Sequence, residues 1–123
     1  MYDVALAREI LRQILWSAHT ISERFRPIKS AYDFTDSDRG REKLDAICMQ
    51  LIAIGESVKN LDGVTGGELL PQYGEIEWKR VMGMRDVITH HYFDVDAEVV
   101  FSVCEGHIGN LARVVKQMLD DLE

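Results

Sequence analysis

Residues 3–25 read DVALAREILRQILWSAHTISERF. Ala7, Leu11, Ile14, Ala18, Ile21 and Phe25 recur at alternating steps of four and three, which lays a single apolar stripe along an α-helix. Arg8, Arg12 and Glu23 fall off that stripe, and Pro27 ends the pattern because its ring removes an amide donor. The same spacing returns downstream. A second helix starts near Asp36 or Ser37, both suitable N-caps, and carries Leu44, Ile47, Leu51, Ile54 and Val58. It stops before Leu61, at the glycine-rich run through Gly67. That run lacks the strand-to-helix setting and spacing of a nucleotide fingerprint and reads as a plain turn.

A shorter third helix opens at Glu75–Trp78, holds Val81, Met82, Met84, Val87 and Ile88, and ends around His91 to Phe93. Asp94 or Asp96 caps a fourth, whose stripe is Val100, Cys104, His107, Leu111, Val114, Met118 and Leu122. Long helices, short connections and one stripe each predict an all-α, up-and-down four-helix bundle, with residues 1–123 forming a single domain. His107 is placed in the core by this reading, and His19 at the boundary of the first stripe.

Bulk properties narrow the function. The 123 residues suit one core, and no apolar run approaches the length of a membrane span. The N-terminus has no signal-peptide core, so a cytoplasmic location is the default expectation, with no membrane partner. Cys48 and Cys104 are too few and too far apart for a disulfide framework or a zinc site, and read as buried thiols. A formal net charge of −7 argues against nucleic-acid binding by bulk electrostatics, while leaving room for a local basic site. Basic residues bunch at Arg24, Arg26 and Lys29, at Arg39, Arg41 and Lys43, and at Lys79, Arg80 and Arg85. The first two groups read as solvated helix ends.

The third group adjoins Arg85-Asp86-Val87-Ile88-Thr89-His90-His91-Tyr92. A fixed cation, a titratable imidazole and a phenol lie together near a helix end. Arginine grips phosphate through a fork of donors, and histidine moves protons near neutral pH. Asp86 and His90 stand at i, i+4 on one helix face, where the carboxylate can accept from the imidazole and fix its tautomer. Arg85 and His90 lie about 140° apart on an unbroken helix, so their convergence on one ligand requires the helix end to fray. The same residues also read as a surface ion-pair network of little energetic value. No His/carboxylate spacing suggests a metal site, and no cofactor is implied.

The segment Trp78–Phe101, WKRVMGMRDVITHHYFDVDAEVVF, resembles the HepT-like (DUF86) branch of the HEPN superfamily, whose signature is Arg, four residues, His, any residue, Tyr. Arg85, His90 and Tyr92 supply it in full. Asp86 after the arginine, Gly83-Met84 before it, Phe93, and the stretch Gln50–Lys59 on the second helix also look like the family. The resemblance implies a HEPN-like bundle forming a symmetric homodimer. It implies a metal-independent endoribonuclease, the toxin of a HEPN–nucleotidyltransferase toxin–antitoxin module, with RNA (transfer RNA being one family substrate) as its target. Arg85 and His90 become catalytic residues, with Asp86 and Tyr92 supporting. The implied antitoxin partner is a small MNT-type nucleotidyltransferase that transfers AMP to Tyr92. Two other readings stay open: a non-catalytic module presenting a nucleotide or substrate to a nucleotidyltransferase, and a purely structural helical adaptor. For the dimer, Phe25, Trp16 or the motif helix is expected to contribute apolar surface.

Overall fold

A computed structural model describes residues 2–91 and 93–122, and every described regular element is helical. The order is α1 (Val4–Phe25), α2 (Tyr32–Thr35), α3 (Asp38–Val64), α4 (Trp78–His90), α5 (Ala97–Gly106) and α6 (Ile108–Asp121), with a 3₁₀ turn at Leu70–Gln72 before α4. The all-α expectation therefore holds, but the expected count of four helices becomes six. Two local features account for the difference. Tyr32–Thr35 makes one helical turn in the connection after α1. The expected fourth helix breaks at His107, whose backbone (φ −128°, ψ −32°) departs from helical values between Gly106 and Ile108.

The caps explain the boundaries. Asp3 accepts from the Leu6 amide at 3.0 Å and starts α1. Ser37, not Asp36, caps α3 by accepting from Gly40 N at 3.0 Å. Asp96 caps α5, accepting from the amides of Glu98 and Val99. The end of α3 lies one turn later than its sequence suggests. The helix continues through Leu61, which is fully buried, and closes at Gly66 and Gly67 with φ of 62° and 74°. Gly67 N donates to Asp62 O and Gly66 N to Gly63 O, a Schellman closure that requires a left-handed residue just past the cap. The glycines are thus a helix stop, as the plain-turn reading anticipates.

The core lies where α1, α3 and α6 meet. Ala7, Leu11, Ile14, Ala18 and Ile21 from α1 pack with Ile47, Leu51, Ile54 and Val58 from α3 and Leu111, Val114, Val115 and Met118 from α6. The break at His107 shifts the apolar register by one. Ile108 is buried in the place expected of His107, and His107 itself is exposed, which corrects its assignment to the core. His19 is exposed on α1. Phe25 turns inward and sits 6.3 Å from the Phe34 ring and 5.1 Å from that of Phe101, tying α1 to α2 and α5. Cys48 and Cys104 are free and buried, as expected. Burial pushes their thiols up to about 11 and about 12 respectively, with nearby Asp45 adding to the first and the Cys48 thiol to the second. Among the described residues no helix is long and apolar enough to cross a membrane.

Candidate functional site

The motif residues ride on α4, and α3 holds α4 in place. Gly55 is buried on the face of α3 that meets α4. A Cβ there would stand 3.0 Å from the Val81 carbonyl oxygen, 3.3 Å from the Arg85 amide nitrogen and 3.4 Å from the Met82 carbonyl oxygen. A side chain there would press on the α4 backbone and force it to shift by a few tenths of an ångström, so glycine suits this close approach. Trp78 and Ile88 anchor the ends of α4 in the core, and the Trp78 indole Nε1 donates to Tyr73 O at 2.9 Å.

That approach brings Arg85 beside the residue following Gly55. Arg85 Nε lies 2.9 Å from Glu56 Oε1, and Arg85 Nη1 lies 3.2 Å from Asp86 Oδ1. The Arg85 and Glu56 side chains are each about half exposed, so the pair is reachable from solvent and contributes on the order of 0–1 kcal/mol to stability. Its importance is geometric, because it bridges two helices. Glu56 lies in the α3 stretch that resembles the family, yet its pairing with Arg85 is invisible in a one-dimensional reading. The available signal was Gly55, a glycine inside a helix, which often marks close backbone approach.

Asp86 does not orient His90. Its carboxylate turns to Arg85, and among the described residues no hydrogen bond joins Asp86 to the imidazole. The fixed guanidinium of the adjacent residue draws this carboxylate away from the ring one turn later. His90 is exposed and is the last residue of α4, which stays helical up to that point. The fraying that would let Arg85 and His90 converge within one chain is therefore absent, and the two side chains leave the helix about 140° apart. His91 Nδ1 faces Asp94 Oδ1 at 3.7 Å. Tyr92 lies outside the described residues.

Next to the motif, an apolar cleft of about 390 Å³ opens between α4 and α5, lined by Met84, Val87, Ile88, Val95, Val99 and Val103 among others. Val87 and Val99 remain more than half exposed on its rim. Among the described residues, no three His, Cys, Asp or Glu side chains group in a way that could hold a metal ion. The site can thus present an oriented guanidinium, an accessible imidazole at a helix C-terminus and adjacent apolar surface.

The sequence also matches known proteins. Residues 14–118 match the family model described as Ribonuclease HepT-like, a span that includes the whole motif. "Putative RNase TTE0752" of Caldanaerobacter subterraneus subsp. tengcongensis is 30% identical over 112 residues, covering 91% of this chain and 93% of that protein. "Putative RNase MJ0127" of Methanocaldococcus jannaschii is 27% identical over 104 residues, covering 78% of this chain and 81% of that protein. A longer protein of the same organism, "Gamma-glutamylcyclotransferase and putative RNase MJ0434", is 30% identical over 115 residues, covering 92% of this chain and 47% of its own length. No solved structure matches the chain significantly. With the family model spanning most of its helices and the Arg85–His90 motif inside the matched region, the chain belongs to the HepT-like ribonuclease family of the HEPN superfamily.

Proposed function

We propose that this protein is a metal-independent endoribonuclease whose active form is a symmetric homodimer, and that Arg85 and His90 carry the chemistry. The observation supporting this most directly is the Glu56–Arg85 bridge, which holds a half-exposed guanidinium on the helix that ends at His90. The substrate's own 2′-hydroxyl is the nucleophile. A base removes its proton, the 2′-oxygen bonds to phosphorus, and the P–O5′ bond breaks as an acid protonates the leaving oxygen. The products are a 2′,3′-cyclic phosphate and a free 5′-hydroxyl. One imidazole cannot be base and acid on opposite sides of the phosphorus in a single step, so the two copies of His90 share these roles across a dyad. Arg85 stabilises charge building on the phosphorane oxygens.

Several features favour α4 and its neighbours as the dimer face. The apolar cleft adjoins the motif, and Val87 and Val99 are exposed on it. Phe25 is engaged within its own chain. Trp16 is exposed on α1, remote in sequence from the motif. The test is cleavage of RNA by the purified protein in excess chelator. Arg85→Ala and His90→Ala should each lower the rate by about 10²-fold or more with helicity and thermal midpoint unchanged. Full activity in both variants would overturn the site.

The protein is further proposed as the toxin of a two-component module, silenced by a small MNT-type nucleotidyltransferase. Transfer of AMP from ATP to the Tyr92 hydroxyl, releasing pyrophosphate, would place bulk and negative charge close in sequence to Arg85 and repel an incoming phosphate. Incubation with such a partner and ATP should add one adenylyl mass to the wild type and none to Tyr92→Phe; an equal increment in both would move the acceptor elsewhere. The competing reading, a non-catalytic module that presents a nucleotide or substrate to the transferase, draws support from the two carboxylates around Arg85 and the net charge of −7. Tight transferase binding with no RNA cleavage at any enzyme ratio would decide for it.

A further inference from the structure

Arg85 has three guanidinium nitrogens, and the fold occupies two of them. Glu56 Oε1 on α3 takes Nε at 2.9 Å, and Asp86 Oδ1, on α4 beside Arg85 itself, takes Nη1 at 3.2 Å. Among the described residues Nη2 has no protein hydrogen-bond partner. Two contacts from different directions set both the position and the plane of the group, leaving its far edge for a ligand.

The arrangement is costly in charge. Two carboxylates around one guanidinium leave the trio with one net negative charge, in a protein already at −7, which opposes approach of a polyanion. Stability does not explain the cost, because a half-exposed ion pair contributes little to folding. Nor does chance placement explain it. Glu56 follows Gly55, where a Cβ would stand 3.0 Å from the Val81 carbonyl oxygen of α4, so helical backbone rather than a loop decides where its carboxylate stands. A shallow groove lined by Glu56, Ser57, Lys59 and Asn60 continues from it along α3, keeping this side open to solvent.

We propose that Glu56 is a positioning residue for the RNA-cleaving site. It holds Nε of Arg85 so that the remaining Nη edge faces the scissile phosphate. This rests on the ribonuclease reading above. What the site needs from Glu56 is an acceptor at Nε, not a negative charge. A glutamine places a carbonyl oxygen at the same reach and removes the repulsion, whereas an alanine frees the guanidinium to rotate, spreading a long side chain over many rotamers.

The experiment compares wild type, Glu56→Ala, Glu56→Gln and Arg85→Ala in steady-state RNA cleavage, alongside the Arg85 Nε–H signal in ¹⁵N NMR spectra of the full chain. Thermal midpoints are measured in parallel; Glu56 is half exposed, so both Glu56 variants should fold. The expected result is a kcat lowered about tenfold in Glu56→Ala and restored in Glu56→Gln, with KM in the glutamine variant at or below the wild-type value. The Arg85 Nε–H signal should be sharp and slowly exchanging in the wild type and the glutamine variant, and lost in the alanine variant. Unchanged or increased kcat in Glu56→Ala, with Arg85→Ala inactive, would overturn the positioning role while leaving the site intact. Unchanged activity in Arg85→Ala would instead remove the ribonuclease reading on which the role depends.

Discussion

Tyr73 and Asp121 show how one side-chain contact can close a fold. The Tyr73 hydroxyl donates to Asp121 Oδ2 at 2.6 Å, joining the segment ahead of α4 to the last turn of α6, while Gln117 Nε2 donates to the other carboxylate oxygen at 2.8 Å. Burial first, then the hydrogen bond to Asp121, pushes the Tyr73 phenol from its ordinary 10.0 up to about 12. The same bond, with that from Gln117, holds the Asp121 carboxyl below its usual range. The signs are opposite in pH. A raised phenol pKa contributes stability that is whole below pH 10 and lost as pH climbs toward 12; a depressed carboxyl contributes stability present above its unfolded value and lost as acid drives pH through the folded one. Thermal midpoints between pH 9 and 11 should therefore fall more steeply for wild type than for Tyr73→Phe. Parallel curves would show that the contact does not survive in solution. Neither partner announces itself in the sequence: a tyrosine in a loop and an aspartate near a helix end are ordinary surface residues until the chain brings them together.

Elements are decided by short-range rules, and most were legible. Stripe spacing marks the buried faces of α1 and α3, and Asp3, Ser37 and Asp96 cap where capping chemistry says they should. The misses are of one type. Leu61 continues α3 because its burial in the core outweighs the glycines that follow, and His107 breaks the last helix because Ile108 is the residue that packs. Gly40, in the first turn of α3, is a second case of tertiary control. A Cβ there would run into the backbone carbonyl oxygen of Asp33 in α2, an atom that cannot swing aside. Glycine costs a helix about 1 kcal/mol relative to alanine, so Gly40→Ala would stabilise a free helix. Overpacking against fixed backbone costs about 1–3 kcal/mol, which offsets that gain and more. Urea titration of Gly40→Ala should show a net loss of stability, and a gain would mean that α2 yields easily.

At the scale of the molecule, the proposed dimer binds the features together. Arg85 and His90 leave an unbroken α4 on different faces, and the exposed apolar surface adjoins them on the cleft between α4 and α5. Val87→Glu puts a charge on that surface without touching the core, since Val87 is 58% exposed. Sedimentation should shift from dimer to monomer in this variant, with RNA cleavage falling in step; a dimeric and active variant would place the interface elsewhere. What the chain's order of residues determined unaided is the helical composition, the approximate helix spans, the faces that bury and the Arg–His–Tyr motif, because periodicity, capping and motif spacing act over a few residues. What tertiary structure alone decided is that Glu56 partners the Arg85 group, that Asp86 faces the guanidinium rather than His90, that Phe25 joins an aromatic cluster and that His107 lies outside. Those outcomes depend on which helices approach and how closely. That is settled by the absence of a side chain at Gly55 and the fit of a shared core, and neither is encoded by the spacing of any one segment.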